Sequence, residues 1–569
     1  MTQEIPATLA DGFNNFARFS LQQEEEFLRA RGYLVSGILA RVAGESYHQS
    51  AGSYLEATMK AMVDDPSEVV KVSCLRAVQD LLPSLPSNMG VPFQVPVITA
   101  ISEFVSAHDL RDLSDCDDLK VTLAETLRDT IMVHPSVVLS SSAIDVLFNV
   151  ASNGANNFQL TMIVIEAFED IVDAIAEQGP EAFMHLCEKV LPSVTGAIDV
   201  GNLTQENALT NFATDLLRAL AERALEPLPA GFVETVMPKL NRLLLESVDG
   251  ELIRPATETV RHIMAHDFTQ FVSWRDPQSG KEAVEVALVI IDRLLGPSVD
   301  DGAATEVGQL AAELVERGGS ERLGPYLPQL LRAVAQRLAT AKQAPFIQSL
   351  ILVFVRLTLI SAREVVDFLT QVDIGGQSGL PVVISKWLEN SVNFAGYDEI
   401  KQNIIALAQL YNLDDPRLAQ IQVRGDLIIQ DTGRIKTRSQ TRNNPDQYTI
   451  VAAPLKIIKV LVEELAAASG SKEIDAATAA ALEEEDSEDD DDWEDLPSNT
   501  LDLSLGITKQ ELMSFGEGGT EGVFGVRKRD DETQGFLAEF FQQASAKPGF
   551  QEHFAALTPD EQDKLRSLG

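Results

Sequence analysis

Residues 161–178 have the sequence TMIVIEAFEDIVDAIAEQ, in which apolar residues recur with the period of an α-helix. Steps of four, three and four positions place four of them on one helix face. These four are Val164, Phe168, Ile171 and Ile175. Gly179 and Pro180 follow, a pair typical of the end of one helix and the start of the next. The stretch therefore predicts a helix that buries one face against its neighbours.

The residues after Gly179 predict a second helix of the same kind. Its apolar stripe runs up to Pro192, where we expect the helix to end. The stripe consists of Phe183, Leu186, Cys187, Val190 and Leu191. Two such helices joined by a short turn form a helix hairpin.

Similar helix pairs recur along the chain. One pattern begins after Asp64-Asp65-Pro66, where apolar or small residues lie three and six positions after Lys71. A related pattern surrounds Lys120, which lies 49 positions after Lys71. Two-helix repeats of about 40 to 47 residues are typical of HEAT solenoids. The fold class predicted is all-α, a HEAT-repeat solenoid of antiparallel helix pairs from about residue 20 to about residue 425.

The composition is strongly acidic. The 569 residues include 86 Asp plus Glu against 45 Lys plus Arg, a net charge of −41. Such a field repels nucleic acid and anionic membranes and favours basic proteins as partners, although acidity also serves solubility. Three distant cysteines without a C-x-x-C pair favour a reducing compartment, and the first residues predict no secretory signal. The apolar stretch from Phe346 to Ala362 contains Arg356, so we expect a buried helix and not a membrane span.

One segment, here named the acidic run, concentrates this charge at residues 483–495. Its eleven acids are Glu483, Glu484, Glu485, Asp486, Glu488, Asp489, Asp490, Asp491, Asp492, Glu494 and Asp495. So many like charges predict a solvated, disordered segment that either aids solubility or binds a basic partner. Trp493 is either an interface anchor or a tether back onto the solenoid. Ser487 matches an acid-directed phosphorylation site, although most such serines are simply solvated.

A basic loop at residues 430–447 precedes the acidic run. Its basic residues are Arg434, Lys436, Arg438 and Arg442. The loop is either a solvated connection or a basic patch that contacts a partner or pairs with the acidic run.

The order of these segments predicts four regions. They are an N-terminal segment at 1–20, the solenoid with its basic loop at 21–466, the disordered acidic loop at 467–498, and closing helices at 499–569. Further helices are expected at 453–468 and 501–515. Thr558-Pro559-Asp560-Glu561 is a capping box that predicts one last helix.

The sequence offers no catalytic, cofactor or metal site. His262 and His266 share a helix face, but Ile263 stands where a metalloprotease has Glu, so a structural or surface pair is expected. Ser378 lacks the glycine two residues later that a nucleophile elbow needs. We therefore expect a protein that is not an enzyme.

Several segments together resemble the C-terminal half of an importin-β-family nuclear transport receptor of the importin-9 type. The resemblance rests on Phe271–Asp276 with Gly280, Leu294–Pro297, Val307–Leu310 with Gly318, Thr437–Gln440, Asn444-Pro445, Pro454–Leu461, Asp492–Asp495 and Phe536–Phe541. It is good from about residue 250 onward and weaker upstream. In that family a HEAT superhelix wraps basic cargo and releases it under control of the GTP-bound GTPase Ran.

The resemblance implies partners and a location as well as a fold. Histones, ribosomal proteins and the TATA-binding protein are the cargo classes, nucleoporins are further partners, and the protein shuttles between cytoplasm and nucleus. Residues 483–495 then act as a cargo-binding acidic loop within a late repeat. Because the N-terminal Ran-binding repeats of such receptors have no counterpart here, only the C-terminal half is expected. The alternative is a HEAT-repeat scaffold without transport activity.

Overall fold

The computed structural model describes residues 6–44, 47–108, 117–200, 203, 205–428, 447–468, 521–522, 526–527, 530–547 and 549–566. The chain forms two compact units, Met1–Ile290 and Ile291–Gly569. Helices dominate the described residues of both units, as the sequence predicts.

The described residues of the first unit form helices, with one isolated bridge between Arg275 and Glu282. In chain order the helices are α1 (Ala7–Ser20), α2 (Glu26–Val42), α3 (His48–Asp64), α4 (Glu68–Leu81), α5 (Ser87–Ala107), α6 (Asp117–Met132), α7 (Val137–Ser140), α8 (Ala143–Ser152), α9 (Phe158–Ala176), α10 (Pro180–Val200), α11 (Ala208–Glu222), α12 (Phe232–Glu246), α13 (Gly250–His266), α14 (Phe268–Ser273) and α15 (Ala283–Leu295), which crosses the boundary.

The second unit combines helices with short antiparallel strand pairs. Its helices are α16 (Val307–Leu323), α17 (Leu327–Thr340), α18 (Ala344–Gln371), α19 (Gly379–Asn390), α20 (Tyr397–Asn412), α21 (Pro416–Ala419), α22 (Ala453–Ala468), α23 (Asp531–Ser545), α24 (Phe550–Ala555) and α25 (Pro559–Arg566), with a 3-10 turn at Ser391–Asn393. Its strands are β1 (Asp373–Ile374), β2 (Gln377–Ser378), β3 (Gln422–Leu427), β4 (Tyr448–Ala452), β5 (Glu521–Gly522) and β6 (Val526–Arg527), paired in that order.

Within each unit the helices form two layers, because a helix packs both on the next helix and on the next but one. In the first unit one layer contains α2, α4, α6, α9, α11 and α13, and the other contains α3, α5, α7, α8, α10 and α12. In the second unit α16, α18, α20 and α23 form one layer, and α17, α19 and α22 the other. This stacking of helix pairs is the arrangement of a HEAT solenoid.

Helices α9 and α10 confirm the predicted hairpin and correct its second end. The four residues of the predicted stripe are fully buried, and Asn157 caps α9 by accepting a hydrogen bond from the Leu160 amide at 3.1 Å. The prediction that the second helix ends at Pro192 is wrong, since α10 continues to Val200. Val194 and Ile198 are buried beyond the proline. Their burial, at about 1.5 to 3 kcal/mol each, offsets the roughly 3 kcal/mol that an interior proline costs.

Helix α18 contains the predicted buried stretch and packs on α16, α17, α19 and α20. Arg356 on α18 lies 2.9 Å from Glu313 and 3.0 Å from Glu316 on α16, which explains how a charge is accommodated there. Two helices of the described chain are long and apolar enough to cross a membrane, Ser87–Ala107 and Ala344–Gln371. In their most apolar stretches of 18 residues, 44% and 56% of the residues, respectively, are buried inside the protein.

Two features near the C-terminus follow or extend the sequence prediction. Helix α22 has the predicted bounds, and the capping box forms, because Glu561 accepts from the Thr558 amide at 2.7 Å while its own amide donates to the Thr558 hydroxyl at 3.3 Å. The β3–β4 hairpin was not predicted. The helix expected at 501–515 lies outside the described residues, and the four predicted region boundaries stay predictions.

Candidate functional site

Every binding residue that the sequence singled out lies outside the described residues. This holds for all positions of the acidic run, including Ser487 and Trp493, and for Arg434, Lys436, Arg438 and Arg442 of the basic loop. Their roles stay predictions. The structure instead defines the two places where the chain leaves and re-enters the second unit around these segments.

The segment that carries the acidic run leaves and returns at one point. Helix α22 ends at Ala468, and the amide of Asp530, just before α23, donates to the Ala468 carbonyl at 2.9 Å. Asp530 is buried, and its Oδ1 accepts from the Thr533 amide and the Tyr397 hydroxyl, both at 3.1 Å. Residues 469–529 are therefore an insertion whose two ends are joined within the packed unit.

The charge of Asp530 is maintained by these hydrogen bonds. Burial favours the neutral acid, but hydrogen bonds from Thr533 and Tyr397 outweigh that effect and hold the pKa of Asp530 below its usual value. An ionised carboxylate is the better acceptor, so both hydrogen bonds to Asp530 Oδ1 are favoured at neutral pH.

The basic loop leaves from the β3–β4 hairpin. The two strands pair from Gln422 with Ala452 to Leu427 with Tyr448, and the Ile428 amide donates to the Gln447 carbonyl at 2.7 Å. Helix α22 begins immediately after β4. The hairpin that carries the basic loop and the acidic insertion are thus attached at opposite ends of α22, a helix of 16 residues that is about 24 Å long.

Lys459 joins the elements around these two departures. Its side chain on α22 is almost fully buried, and its Nζ lies 2.9 Å from Asp426 on β3 and 2.8 Å from Glu561 on α25. Burial alone would lower the pKa of Lys459, but hydrogen bonds to Glu561 and Asp426 raise it above its usual value. One cation therefore fixes the hairpin and the last helix to α22.

The first unit has a charged ladder across its layer of α9, α11 and α13. Arg218 on α11 lies 3.1 Å from Glu169 on α9, 2.5 Å from Glu222 on its own helix and 3.7 Å from Glu258 on α13. Arg223 also reaches Glu169, at 3.2 Å. These pairs link successive repeats along one face.

Asp215 lies within the same ladder and is electrostatically unusual. Burial raises its pKa to about 6, against the attraction of Arg218 and Arg254, while Glu251 and Glu258 push it further upward. Sequence reasoning missed this residue, because its environment comes from helices distant in sequence. An acid with such a pKa is mostly ionised at pH 7, and a nearby cation favours its ionised form further.

The two histidines on α13 form a structural pair, as expected. Their rings stack with centroids 6.2 Å apart, and burial lowers the pKa of His262 to about 3. His266 contacts the carbonyl oxygen of Glu222 at 3.2 Å. Across the described ranges, no group of three or more His, Cys, Asp or Glu residues is placed to hold a metal.

Comparisons with known proteins point to one family. Residues 1–155 match the family described as Importin-9 central HEAT repeats. Importin subunit beta-5 of Schizosaccharomyces pombe is 27% identical over 480 residues, which cover 83% of this chain and 45% of that protein. The chain is thus similar to importins of the importin-β family.

Further importins are similar over shorter ranges. Importin subunit beta-5 of Saccharomyces cerevisiae is 28% identical over 62% of this chain, which is 35% of its own length. Importin-9 of Drosophila melanogaster is 26% identical over 53% of this chain, which is 30% of its own length. The chain thus spans less than half the length of these curated relatives. Among solved structures, the S. cerevisiae nuclear transport receptor Lph2 aligns with a TM-score of 0.46 at 13% identity, covering 97% of this chain and 53% of that one.

Proposed function

We propose that this chain is the cargo-binding part of a nuclear import receptor that binds and chaperones basic proteins. The observation that carries the proposal is the 27% identity with importin subunit beta-5 over 480 residues. The net charge of −41 and the insertion joined at Ala468 and Asp530 support a basic cargo. Histones, ribosomal proteins and the TATA-binding protein are the proposed cargo classes, with Ran and nucleoporins as transport partners and shuttling between cytoplasm and nucleus.

The proposed mechanism uses the acidic run as a substitute for nucleic acid. A cargo surface that normally neutralises phosphates meets a tethered polyanion, and the ions released from both make binding strongly dependent on salt. Because the insertion is joined at its base, the polyanion stays close to cargo held on the second unit. The cargo is thereby shielded from unspecific contacts with nucleic acid.

A pull-down with purified histone dimers at physiological salt tests the proposal. Replacing the eleven acids of the acidic run by Asn or Gln is expected to weaken binding at least tenfold. A matched control neutralises eleven exposed acids of the solenoid and should change the affinity much less. Absence of binding by the wild-type chain would refute the cargo class, and equal effects of the two variants would refute the role of the acidic run.

Transport itself needs a second assay. Nuclear accumulation of a basic reporter in permeabilised cells, supplied with the chain and Ran, separates a receptor from a HEAT scaffold. Histone binding without accumulation of the reporter would favour the scaffold.

A further inference from the structure

A cleft in the second unit reverses the charge balance of the rest of the chain. It has a volume of about 550 Å³ and lies where the α17–α18 turn, α19, the β3–β4 hairpin and the start of α22 meet. Among the described residues, four basic side chains and one acid, Glu389, line it. The basic residues are Lys342, Lys386, Arg424 and Lys456. Four cations against one anion is unexpected in a protein with almost twice as many acids as bases.

These four cations, unlike several other bases of the same unit, have no carboxylate partner among the described residues. Among the described residues, no Asp or Glu oxygen lies within 4.0 Å of their side-chain nitrogens, whereas Arg337, Arg356 and Lys401 all form ion pairs. Lys386 donates to the Ala341 carbonyl at 3.1 Å. The Arg424 guanidinium lies 5.7 Å from the centre of the Tyr448 ring. Two of the cations thus have a defined contact, Lys386 with a carbonyl and Arg424 with an aromatic ring, and no described carboxylate neutralises any of the four.

We propose that this cation cleft docks the chain's own acidic run, Glu483–Asp495. The first argument is charge complementarity, since the run offers eleven carboxylates within thirteen positions and the cleft offers a net charge of about three positive units. A single surface ion pair contributes little, but several cations that face one polyanion act together.

The second argument is reach. Lys456 and Ala468 are twelve residues apart on α22, a distance of about 18 Å along the helix. Glu483 lies fifteen positions after Ala468, enough chain to span about 50 Å when extended. A flexible chain of that length has a root-mean-square end-to-end distance of about 20 Å. The chain from Ala468 to Glu483 thus matches the distance of about 18 Å back to Lys456. Such a match gives the highest effective concentration of the acidic run at the cleft.

Docking of this kind would make the run and basic cargo compete. In the free protein the carboxylates of the acidic run are bound to the cation cleft. Only cargo with a denser positive surface can replace the cleft cations as their partner. This consequence rests on the proposed function, whereas docking itself does not. The cleft then acts as a threshold that excludes weakly basic proteins.

Docking is tested by measuring the binding of a fluorescently labelled peptide of residues 483–495 to the full chain. In this chain the eleven acids of its own acidic run are replaced by Asn or Gln, so that the run does not compete with the peptide. The peptide should bind at 50 mM salt and dissociate at 500 mM. Charge reversal by Lys342→Glu, Arg424→Glu and Lys456→Glu is expected to weaken binding at least tenfold. The matched control reverses Lys60, Arg76 and Arg332, which are exposed and lie outside the cleft. Equal peptide binding by both triple variants would overturn the proposal. If the triple variant of the cleft does not fold, the single variant Lys456→Gln replaces it, and unchanged peptide binding by that variant would likewise overturn the proposal.

A second measurement distinguishes docking within one molecule from docking between molecules. A dye on Ser487→Cys, in a Cys116→Ser background, reports the run, because Cys74 and Cys187 are buried and do not react. High anisotropy that is independent of protein concentration and falls in the charge-reversed variant is the expected result. Anisotropy that falls on dilution would mean that the run of a second copy occupies the cleft and would contradict the tethered docking. Loss of histone binding would not affect either readout, so failure of the proposed function is recognised separately.

Discussion

Gly308 shows how one residue sets the separation of two helices. A Cβ atom at this position on α16 would lie 2.1 Å from the Ser349 carbonyl oxygen of α18, and the neighbouring Gln309 amide donates to the Ser349 hydroxyl at 3.1 Å. Backbone meets backbone here, so no side chain can move aside. Val307–Leu310 is one of the segments on which the family resemblance rests, and this contact is a physical reason for its glycine.

We predict that Gly308→Ala destabilises the second unit by about 1 to 3 kcal/mol, because α16 and α18 must separate to admit the methyl group. Hydrogen exchange of the α16 and α18 amides measures the effect. Gly535→Ala on α23 is the control, since nothing lies within 4 Å of its Cβ position and a helical Gly→Ala change is neutral or stabilising by up to about 1 kcal/mol. Similar protection in both variants would contradict the prediction.

Asp215 permits a prediction about pH. Its folded-state pKa of about 6 lies above the value of about 4 for an aspartate in an unfolded chain. Between these two pH values the folded protein binds more protons than the unfolded chain, so the contribution of Asp215 to the free energy of unfolding falls as pH rises from about 4 to about 6. Asp215→Asn should therefore raise the free energy of unfolding at pH 7 by on the order of 1 to 3 kcal/mol, with the gain disappearing near pH 4.

Urea unfolding of the first unit at pH 7 and pH 4 would show this difference. Asp11→Asn on α1, a helix that belongs to the same unit, is the control and should give the same small effect at both pH values. A destabilising Asp215→Asn at pH 7 would show that attraction to Arg218 and Arg254 outweighs burial.

At the scale of elements, Lys459 connects three segments that are far apart in sequence. Lys459→Met removes the partner of Glu561, whose carboxylate also completes the capping box of α25. We expect a loss of about 1 to 3 kcal/mol, less than for a fully buried pair because Asp426 is partly solvated. Exchange protection of α25 and of β3 should decrease.

Lys456→Met, one turn earlier on α22, is the matched control for stability. Its side chain lines the cation cleft and has no carboxylate within 4.0 Å among the described residues. A change within about 0.5 kcal/mol is expected. Equal loss of α25 protection in both variants would show that the ion pairs of Lys459 contribute nothing specific.

The elements themselves were predictable where the pattern was local. The stripe from Val164 to Ile175, the bounds of α22 and the capping box at Thr558 all depend on residues within a few turns of one another. Pro192 misled the prediction, because the compensating burial of Ile198 depends on neighbouring helices. The β3–β4 hairpin was missed, since its two strands lie on either side of a loop of 18 residues that are not described.

At the scale of the molecule, periodicity predicted the two-layer stacking, while the electrostatic arrangement could not be predicted. The ladder around Arg218 joins α9, α11 and α13, and the cation cleft joins four elements between Lys342 and Lys456. Neither follows a sequence motif. The acidic run, by contrast, was evident from the sequence alone, and the structure adds the two positions, Ala468 and Asp530, between which the longer insertion lies.

The hydrogen bond between Asp530 and Ala468 has an evolutionary consequence. Because the Asp530 amide and the Ala468 carbonyl join the two ends of the insertion within the packed unit, we expect the repeats to tolerate changes in its length or composition. Doubling its length would add only about 0.6 kcal/mol of closure entropy. On the proposed function, selection can then exchange one cargo preference for another while the solenoid stays the same, and the same junction is a position at which a foreign binding domain can be grafted.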